Sequence, residues 1–355
     1  MIHVFTCSAP NYVGKARVLF ESLRRHAPRL VVHWLVADRR QPELAALVGD
    51  EVDHVSFLED LDLDLEDGEG WWFLHDVVEL STAIKPFMAR RLLAREDCDL
   101  VVYLDPDVAL FSAVDDLLSA AENASVLLTP HLLRPESAPK PIFDNELCCL
   151  RNGVFNLGFV AVRDCDEGHA FLAWWAERCR LLCTAEPGTG AFTDQKWIDL
   201  APIFFPGISI VRDARFNVAA WNVGQRRVTG TFDEGFRVDG RSLGFYHFTG
   251  LDSGAHQQVI DFYAAGDRAV HMLVQWYGHR SRFLTPARGL DWSLGRYDDG
   301  WEILPHHRRL YRERADLRAA FPDPYRGRDE ASFTTWLIEN GTFGASRRAG
   351  PGSSA

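Results

Sequence analysis

No stretch of the 355 residues approaches the roughly twenty uncharged apolar positions that a membrane-spanning helix needs. The opening Met1-Ile2-His3-Val4-Phe5-Thr6-Cys7 lacks the charged start, apolar middle and cleavage site of a signal peptide, and reads as a first strand. A cytoplasmic protein, or one peripheral to a membrane, is therefore expected. Cysteine is sparse: there are 7, an odd number, and neither Cys148-Cys149 nor Cys179/Cys183 makes a C-x-x-C element. Reduced, mostly buried thiols account for them more simply than disulfides, or than a zinc site built from Cys179, Cys183 and a nearby histidine. Positive charge is in deficit, with 38 Lys and Arg against 50 Asp and Glu and a net charge of −12, which argues against a general nucleic-acid binder. No internal repeat is visible. No glycine pattern matches the dinucleotide fingerprint or the P-loop, so neither of those nucleotide-binding classes is supported.

What is present is enough apolar material for a large core, 47% of the chain with 12% aromatic. The first half alternates strand and helix patterns: strands at 3–7, 30–37, 52–57, 100–104 and 125–129, helices at 12–25, 41–48, 71–95 with Pro86 as a kink or restart, and 114–122. That rhythm predicts an α/β fold with a mixed sheet flanked by helices. An acidic loop at 59–70 and a proline-rich loop at 130–141 interrupt it. A strand at 153–163, a helix at 168–183 and a short helix at 193–200 capped by Thr193 follow. Short strands with glycine-rich turns occupy 209–247, and helices at 259–277 and 308–320 suggest a helical C-terminal extension. The basic run His306-His307-Arg308-Arg309 reads as the start of a surface helix.

The most informative stretch is Leu100-Val101-Val102-Tyr103-Leu104-Asp105-Pro106-Asp107. An unbroken apolar run of this length is a strand buried on both faces, as in parallel sheets. Ligands of such sheets bind beyond the carboxyl ends of the strands, where Asp105 and Asp107 stand ready for a hard divalent cation that shares its coordination with phosphate. Asp-x-Asp occurs five times here (Asp60/Asp62, Asp62/Asp64, Asp97/Asp99, Asp105/Asp107 and Asp164/Asp166), and only Asp105/Asp107 follows a buried strand. Carboxylates capping loop amides are the plainer alternative for that pair.

Other residues carry weaker signals. The first strand runs into Cys7-Ser8-Ala9-Pro10-Asn11-Tyr12 before a helix, a small-residue loop whose amides can approach a nucleotide; Thr6, Cys7, Asn11 and Tyr12 are candidates there, with Asn11 equally readable as a helix cap. His247, at the end of Phe245-Tyr246-His247 and near Gly250, is a candidate third metal ligand or a core histidine. Asp194-Gln195 suit a polyhydroxyl substrate or a helix N-terminus. Asn156 in Phe155-Asn156-Leu157-Gly158 shares that ambiguity, and Lys85 is either a diphosphate contact or a solvated helix lysine. Trp71, Trp72 and Trp221 offer faces for a sugar ring, although core or lid packing is the commoner use.

Taken in order, these pieces resemble the glycosyltransferases of the GT-A fold, and particularly glycosyltransferase family 8, the family of glycogenin and the lipopolysaccharide galactosyltransferases. The resemblance covers roughly residues 1–250. It implies a Rossmann-like GT-A catalytic domain over 1–250, leaving 251–344 as a helical extension on the acceptor side and 345–355 as a disordered tail. It also implies that Asp105, Asp107 and His247 hold Mn2+ or Mg2+, that Lys85 approaches the donor, and that Asn156 falls on the family's Asn-Ala-Gly element. Asp194 and Gln195 would line the donor-sugar pocket. The implied partners are a nucleotide-sugar donor, a UDP-sugar ahead of a GDP-sugar, and a glycan, lipid-linked or small-molecule acceptor, with transfer by retention. Two departures stand out: Ser8-Ala9-Pro10 replaces commonly acidic positions, and His247-Phe248-Thr249-Gly250 is not followed by the family's lysine. The rival readings are a haloacid-dehalogenase-like phosphohydrolase with Asp105 as nucleophile and a non-enzymatic carbohydrate-binding protein. A sugar nucleotidyltransferase is disfavoured because no glycine-rich loop follows the first strand.

Overall fold

Runs of β-branched and aromatic residues form strands β1 (Ile2–Ser8), β2 (Val31–Val36), β3 (His54–Ser56), β4 (Leu100–Leu104), β5 (Val108–Leu110), β6 (Val126–Pro130) and β7 (Phe155–Arg163). The shorter β8 (Ile208–Ile210), β9 (Val218–Ala219), β10 (Val228–Thr229), β11 (Arg237–Val238), β12 (Arg241–Ser242) and β13 (Phe245–His247) follow. The computed structural model describes residues 1–65, 68–287 and 290–344. The tail expected at 345–355 and part of the acidic loop at 59–70 thus lie outside the described residues.

Seven strands make one mixed sheet in the order β3-β2-β1-β4-β7-β6-β8. β1 runs parallel to β2 and β4, whereas β7 is antiparallel to both β4 and β6. Nearly every residue of β1, β4, β6 and β7 is buried, because helices cover both faces, and that is why these strands carry continuous apolar runs. On one face the helices Lys85–Leu93 and Asp166–Leu181 pack together, and on the other Val13–His26 lies against Arg268–Leu284. Beyond the end of β4 a second small sheet, β5-β13-β9, continues the chain path, and β10-β11-β12 form an antiparallel meander.

The last part of the chain is built into the same core. Leu294, Tyr297, Tyr311, Tyr325, Phe333 and Leu337 share one apolar cluster with Phe5, Tyr103 and Leu128. At the end of β2, the buried Asp38 carboxylate accepts the Ser293 amide at 2.9 Å and its hydroxyl, while Trp292 Nε1 donates to Ala37 O at 2.8 Å.

Several local expectations change. The helical stretch at 71–95 is three helices, Gly68–Phe73, Val77–Ala83 and Lys85–Leu93. Asp76 ends the first continuity by accepting the amides of Val78 and Glu79, and the Glu79 carboxylate reaches back to the Asp76 amide. Pro86 sits in the first turn of the third helix, where it lacks no needed donor. The helix expected at 259–277 is likewise two, Ala255–Tyr263 and Arg268–Leu284, the second capped by Asp267. Thr193 is not a cap: its φ is +47°, and the 3-10 helix that follows spans Lys196–Leu200. The last three residues of the expected proline-rich loop are already helical, and helical structure runs over 139–152. The basic run is not simply a surface: His307 and Arg308 are buried. Arg308 donates to Phe73 O and Leu294 O and lies over the rings of Phe73 and Trp292, satisfying a carbonyl at a helix C-terminus.

Across β1, β2 and β3 three histidines stack. His3 Nδ1 meets His33 Nε2 at 2.9 Å, and the His33 and His54 rings are 4.7 Å apart. Burial, then the charges of His54 and His3, push His33 down to about 3 from its ordinary 6.5. Because the folded value is depressed, the stabilisation is present above pH 6.5 and is lost as pH falls below it. Between pH 7 and pH 5 this group should withdraw about 2 kcal/mol of stability. Urea melts of the parent and of His33→Gln check this: the variant should show the shallower acid dependence, and parallel curves would remove the role assigned to His33.

Candidate active site

β4 ends in a tight turn. The Asp105 amide donates to Gly158 O at 3.0 Å and the Val108 amide to Asp105 O at 3.1 Å, so Asp105 and Asp107 bracket a reversal between β4 and β5. The antiparallel pairing of β5 with β13 then places His247 opposite Val108, and the Phe248 amide donates to Asp107 O at 2.8 Å. That ladder brings together residues 140 positions apart in the chain, counting from Asp107 to His247. His247 Nε2 lies 3.0 Å from Asp107 Oδ1 and 3.5 Å from Asp105 Oδ2. Among the described residues these three are the only group of three or more His, Cys, Asp or Glu side chains with ligand atoms close enough for a metal ion, all within 4.8 Å.

The other ring nitrogen decides the tautomer. His247 Nδ1 is 3.2 Å from Asn156 Oδ1 and 3.3 Å from Asn217 Oδ1. Asn156 Oδ1 also accepts the Gly158 amide at 3.0 Å and Asn217 Nδ2 at 2.9 Å, which fixes it as the acceptor end. Nδ1 therefore carries a proton, and in the neutral ring the Nε2 lone pair would face the two carboxylates, the orientation of a metal-ligating histidine. Two carboxylate oxygens and one imidazole nitrogen suit Mn2+ or Mg2+, with the remaining positions left for water or phosphate oxygens. Without a cation the imidazole itself must balance the charge. Burial opposes this, and the carboxylates of Asp107 and Asp105 outweigh it, holding the His247 pKa above its ordinary value. Burial would also raise Asp107, but His247 and Lys15 bring it below the usual carboxylate range.

Lys85 forms the other wall. Its ammonium, with a side chain only 4% exposed, lies 3.3 Å from Asp105 Oδ1 and 3.4 Å from Asp194 Oδ2, over the Tyr103 ring at 4.4 Å. Burial alone would discharge it, and the two carboxylates keep it charged, with its pKa raised. Asp194 is buried, which raises its pKa despite Lys85, and apart from that ion pair its Oδ2 has no hydrogen-bond partner. The Tyr103 hydroxyl donates to Asp105 Oδ1.

The remaining candidates are distributed around this centre. Asn156 is a brace for the His247 ring. Gln195 is committed to backbone, with Oε1 accepting the Leu157 amide at 3.2 Å and Nε2 donating to Asn152 O at 2.8 Å. Cys7 is buried near Lys85, and burial pushes its thiol pKa up. Thr6 is buried with its hydroxyl unpartnered, Asn11 is exposed, and Tyr12 is half-buried beneath the Lys15 ammonium at 4.0 Å. Trp71 and Trp72 belong to the core, whereas Trp221 stands edge-on to His247 with centroids 5.3 Å apart. Asn217 and Tyr103 carry no sequence signal of their own. Gly158 had one, in Asn156-Leu157-Gly158: a Cβ there would lie 2.4 Å from His247 Cε1 and 2.7 Å from Asn156 Oδ1.

No family model matches the chain. It is 31% identical over 178 residues to Uncharacterized protein YfnF of Bacillus subtilis (strain 168), covering 49% of this chain and 57% of that protein. With Uncharacterized protein YfnD of the same organism it shares 27% identity over 255 residues, 70% of this chain and 78% of the relative. The chain thus spans little more than half the length of YfnF. Among solved structures it is similar to the galactosyltransferase LgtC in complex with donor and acceptor sugar analogs, with a TM-score of 0.47 and 16% identity over 81% of this chain and 97% of that one. A second is the apo form of mouse xyloside xylosyltransferase 1, with a TM-score of 0.41 and 15% identity over 71% and 99% of the two chains.

Gly158→Ala should displace the His247 ring, since the ring has no space to move between Asn156 and the carboxylates. Overpacking of this kind costs roughly 1–3 kcal/mol. Calorimetric titration with Mn2+ checks the consequence: binding should fall at least tenfold in the folded variant, and unchanged binding would show that the close approach is not needed.

Proposed function

We propose that this chain is a metal-dependent glycosyltransferase that moves a sugar from a nucleoside diphosphate sugar to an acceptor hydroxyl. The observation that carries the reading is the meeting of Asp105, Asp107 and His247 at the carboxyl end of a buried strand, with the Lys85 ammonium against the same cluster. Cleavage of a sugar–phosphate bond places new negative charge on the departing diphosphate. When bound, the divalent cation supplies Lewis-acid neutralisation of that charge. Asp105 and Asp107 orient their oxygens to one point, and His247 adds a neutral ligand whose tautomer Asn156 and Asn217 hold. Lys85, between the Asp105 and Asp194 carboxylates, places a fixed cation beside the leaving group.

In the reading with retention, Asp194 and Gln195 would position the transferred sugar and stabilise its oxocarbenium-like state, Gln195 from a side chain that holds β7 at Leu157 and the preceding helix at Asn152. The acceptor proton is then taken by an oxygen of the leaving diphosphate, so no separate protein base is required. An inverting reaction would need a general base, for which Asp194 and Asp252 are the candidates; Asp252 is paired with Lys15. A UDP-sugar is the first donor to test and a GDP-sugar the second, with glycan, lipid-linked and small-molecule acceptors to follow.

A thermal-shift panel of nucleoside diphosphates and nucleotide sugars, with Mn2+, with Mg2+ and with EDTA, tests the proposal. Stabilisation by UDP or GDP should require the metal, reaching about 2.7 kcal/mol at a hundredfold excess over Kd. It should disappear in Asp105→Asn and Asp107→Asn. Metal-independent binding of free glycans with no nucleotide effect would replace the reading with carbohydrate binding, and a trapped phospho-aspartate at Asp105 would replace it with phosphohydrolysis.

A further inference from the structure

The metal cluster faces two lysines. Lys85 serves the Asp105 side. On the Asp107 side stands Lys15, the third residue of the helix Val13–His26, which starts just beyond the loop after β1. Its side chain is 13% exposed, its ammonium rests on the Tyr12 ring at 4.0 Å, and its ion-pair partner is Asp252. Asp252 is five residues beyond His247, and the helix that carries Lys15 packs against β5, the strand directly after Asp107, with the Leu110 amide donating to Ser22 Oγ at 3.1 Å. This is a cation held near the metal ligands by a replaceable partner. The Asp252 side chain is 66% exposed, so water can take over its solvation when the lysine leaves. The turn that carries Asp252 does not depend on the lysine: Ser253 Oγ and the His256 amide both donate to Gly250 O.

We propose that Lys15 is the second cation of the donor site, exchanging the Asp252 carboxylate for the phosphate oxygens of a bound nucleoside diphosphate. The proposal rests on the glycosyltransferase reading and assigns its diphosphate a contact from the N-terminal helix. A Lys15–phosphate contact and a Lys85-flanked metal would hold the diphosphate from opposite sides. Tyr12 would keep the ammonium near its position during the exchange. Asp252 would act as a competitor that the ligand displaces.

The experiment measures binding of UDP and of GDP, each with Mn2+, by calorimetry to the full chain and to Lys15→Met, Lys15→Arg and Asp252→Asn, with Mn2+ alone as a control and melting temperatures recorded throughout. A charge-assisted contact of this type predicts that Lys15→Met weakens nucleoside diphosphate binding by about ten- to a hundredfold. Lys15→Arg should recover most of that loss. Asp252→Asn should bind as tightly as the parent or tighter, and Mn2+ alone should bind all four proteins. If Asp252→Asn weakens binding as much as Lys15→Met, with matching drops in melting temperature, Lys15 is only a strut and the proposal is overturned. Indifference of Lys15→Met to the nucleotide overturns it as well. A parent protein that binds neither UDP nor GDP overturns the glycosyltransferase reading, and this assignment with it.

Discussion

Three carboxylates, Asp105, Asp107 and Asp194, lie at the end of the central sheet, two of them buried, and their charge has to be balanced where they stand. An isolated ionised carboxylate taken out of water is so costly that it either finds a counter-charge or takes up a proton. Lys85 lies between two of the three, and the His247 imidazole lies between Asp105 and Asp107. The arrangement is nearly complete for the chain alone, and a divalent cation bound there would take the place of the imidazolium proton. Its chemistry and its folding therefore impose the same requirement: positive charge at one point beyond β4.

The surrounding architecture serves to hold that point. The mixed sheet turns Asp105 and Asp107 outward at the end of β4, and β5 carries the chain directly to its pairing with β13. The amides of Asn156 and Asn217 then grip the far nitrogen of the imidazole from β7 and from the segment leading into β9. Such a brace sets both tautomer and ring plane, and its value lies in orientation more than in the energy of any single bond. Gln195 acts at one remove, tying β7 at Leu157 to the end of the preceding helix at Asn152. The C-terminal residues support the same edge of the sheet, where Trp292 and Ser293 close the end of β2 and the apolar side chains from Leu294 onward enlarge the shared core.

Legibility in the sequence followed the range of the interactions. Leu100 to Asp107 was readable because burial on both faces demands an unbroken apolar run, and the end of that run is where side chains become available for chemistry. The breaks in the helical stretch at 71–95 were less readable, since the capping box at Asp76 and Glu79 competes with continued helical propensity over only a few residues. Arg308 was misread as a surface residue because its partners, Phe73 O and Leu294 O, are carbonyls from distant segments. Asn217 has a left-handed backbone, φ +55°, and a role that exists only relative to His247. Trp71, Trp72 and Trp221 look alike as letters, and only packing separates two core residues from one that borders the site.

By itself the sequence determined the mixed α/β class, the position of the acidic strand end and the types of residue available to bind a cation. These depend on local hydrophobic pattern and on side-chain chemistry, which the chain carries wherever it goes. The tertiary structure decided which residues meet. The β5–β13 ladder selects His247 as partner to Asp107, the close approach at Gly158 gives its ring room, and Lys85 is buried between Asp105 and Asp194. Those choices rest on backbone pairing and burial across long separations in the chain, which local pattern marks as candidates without deciding between them.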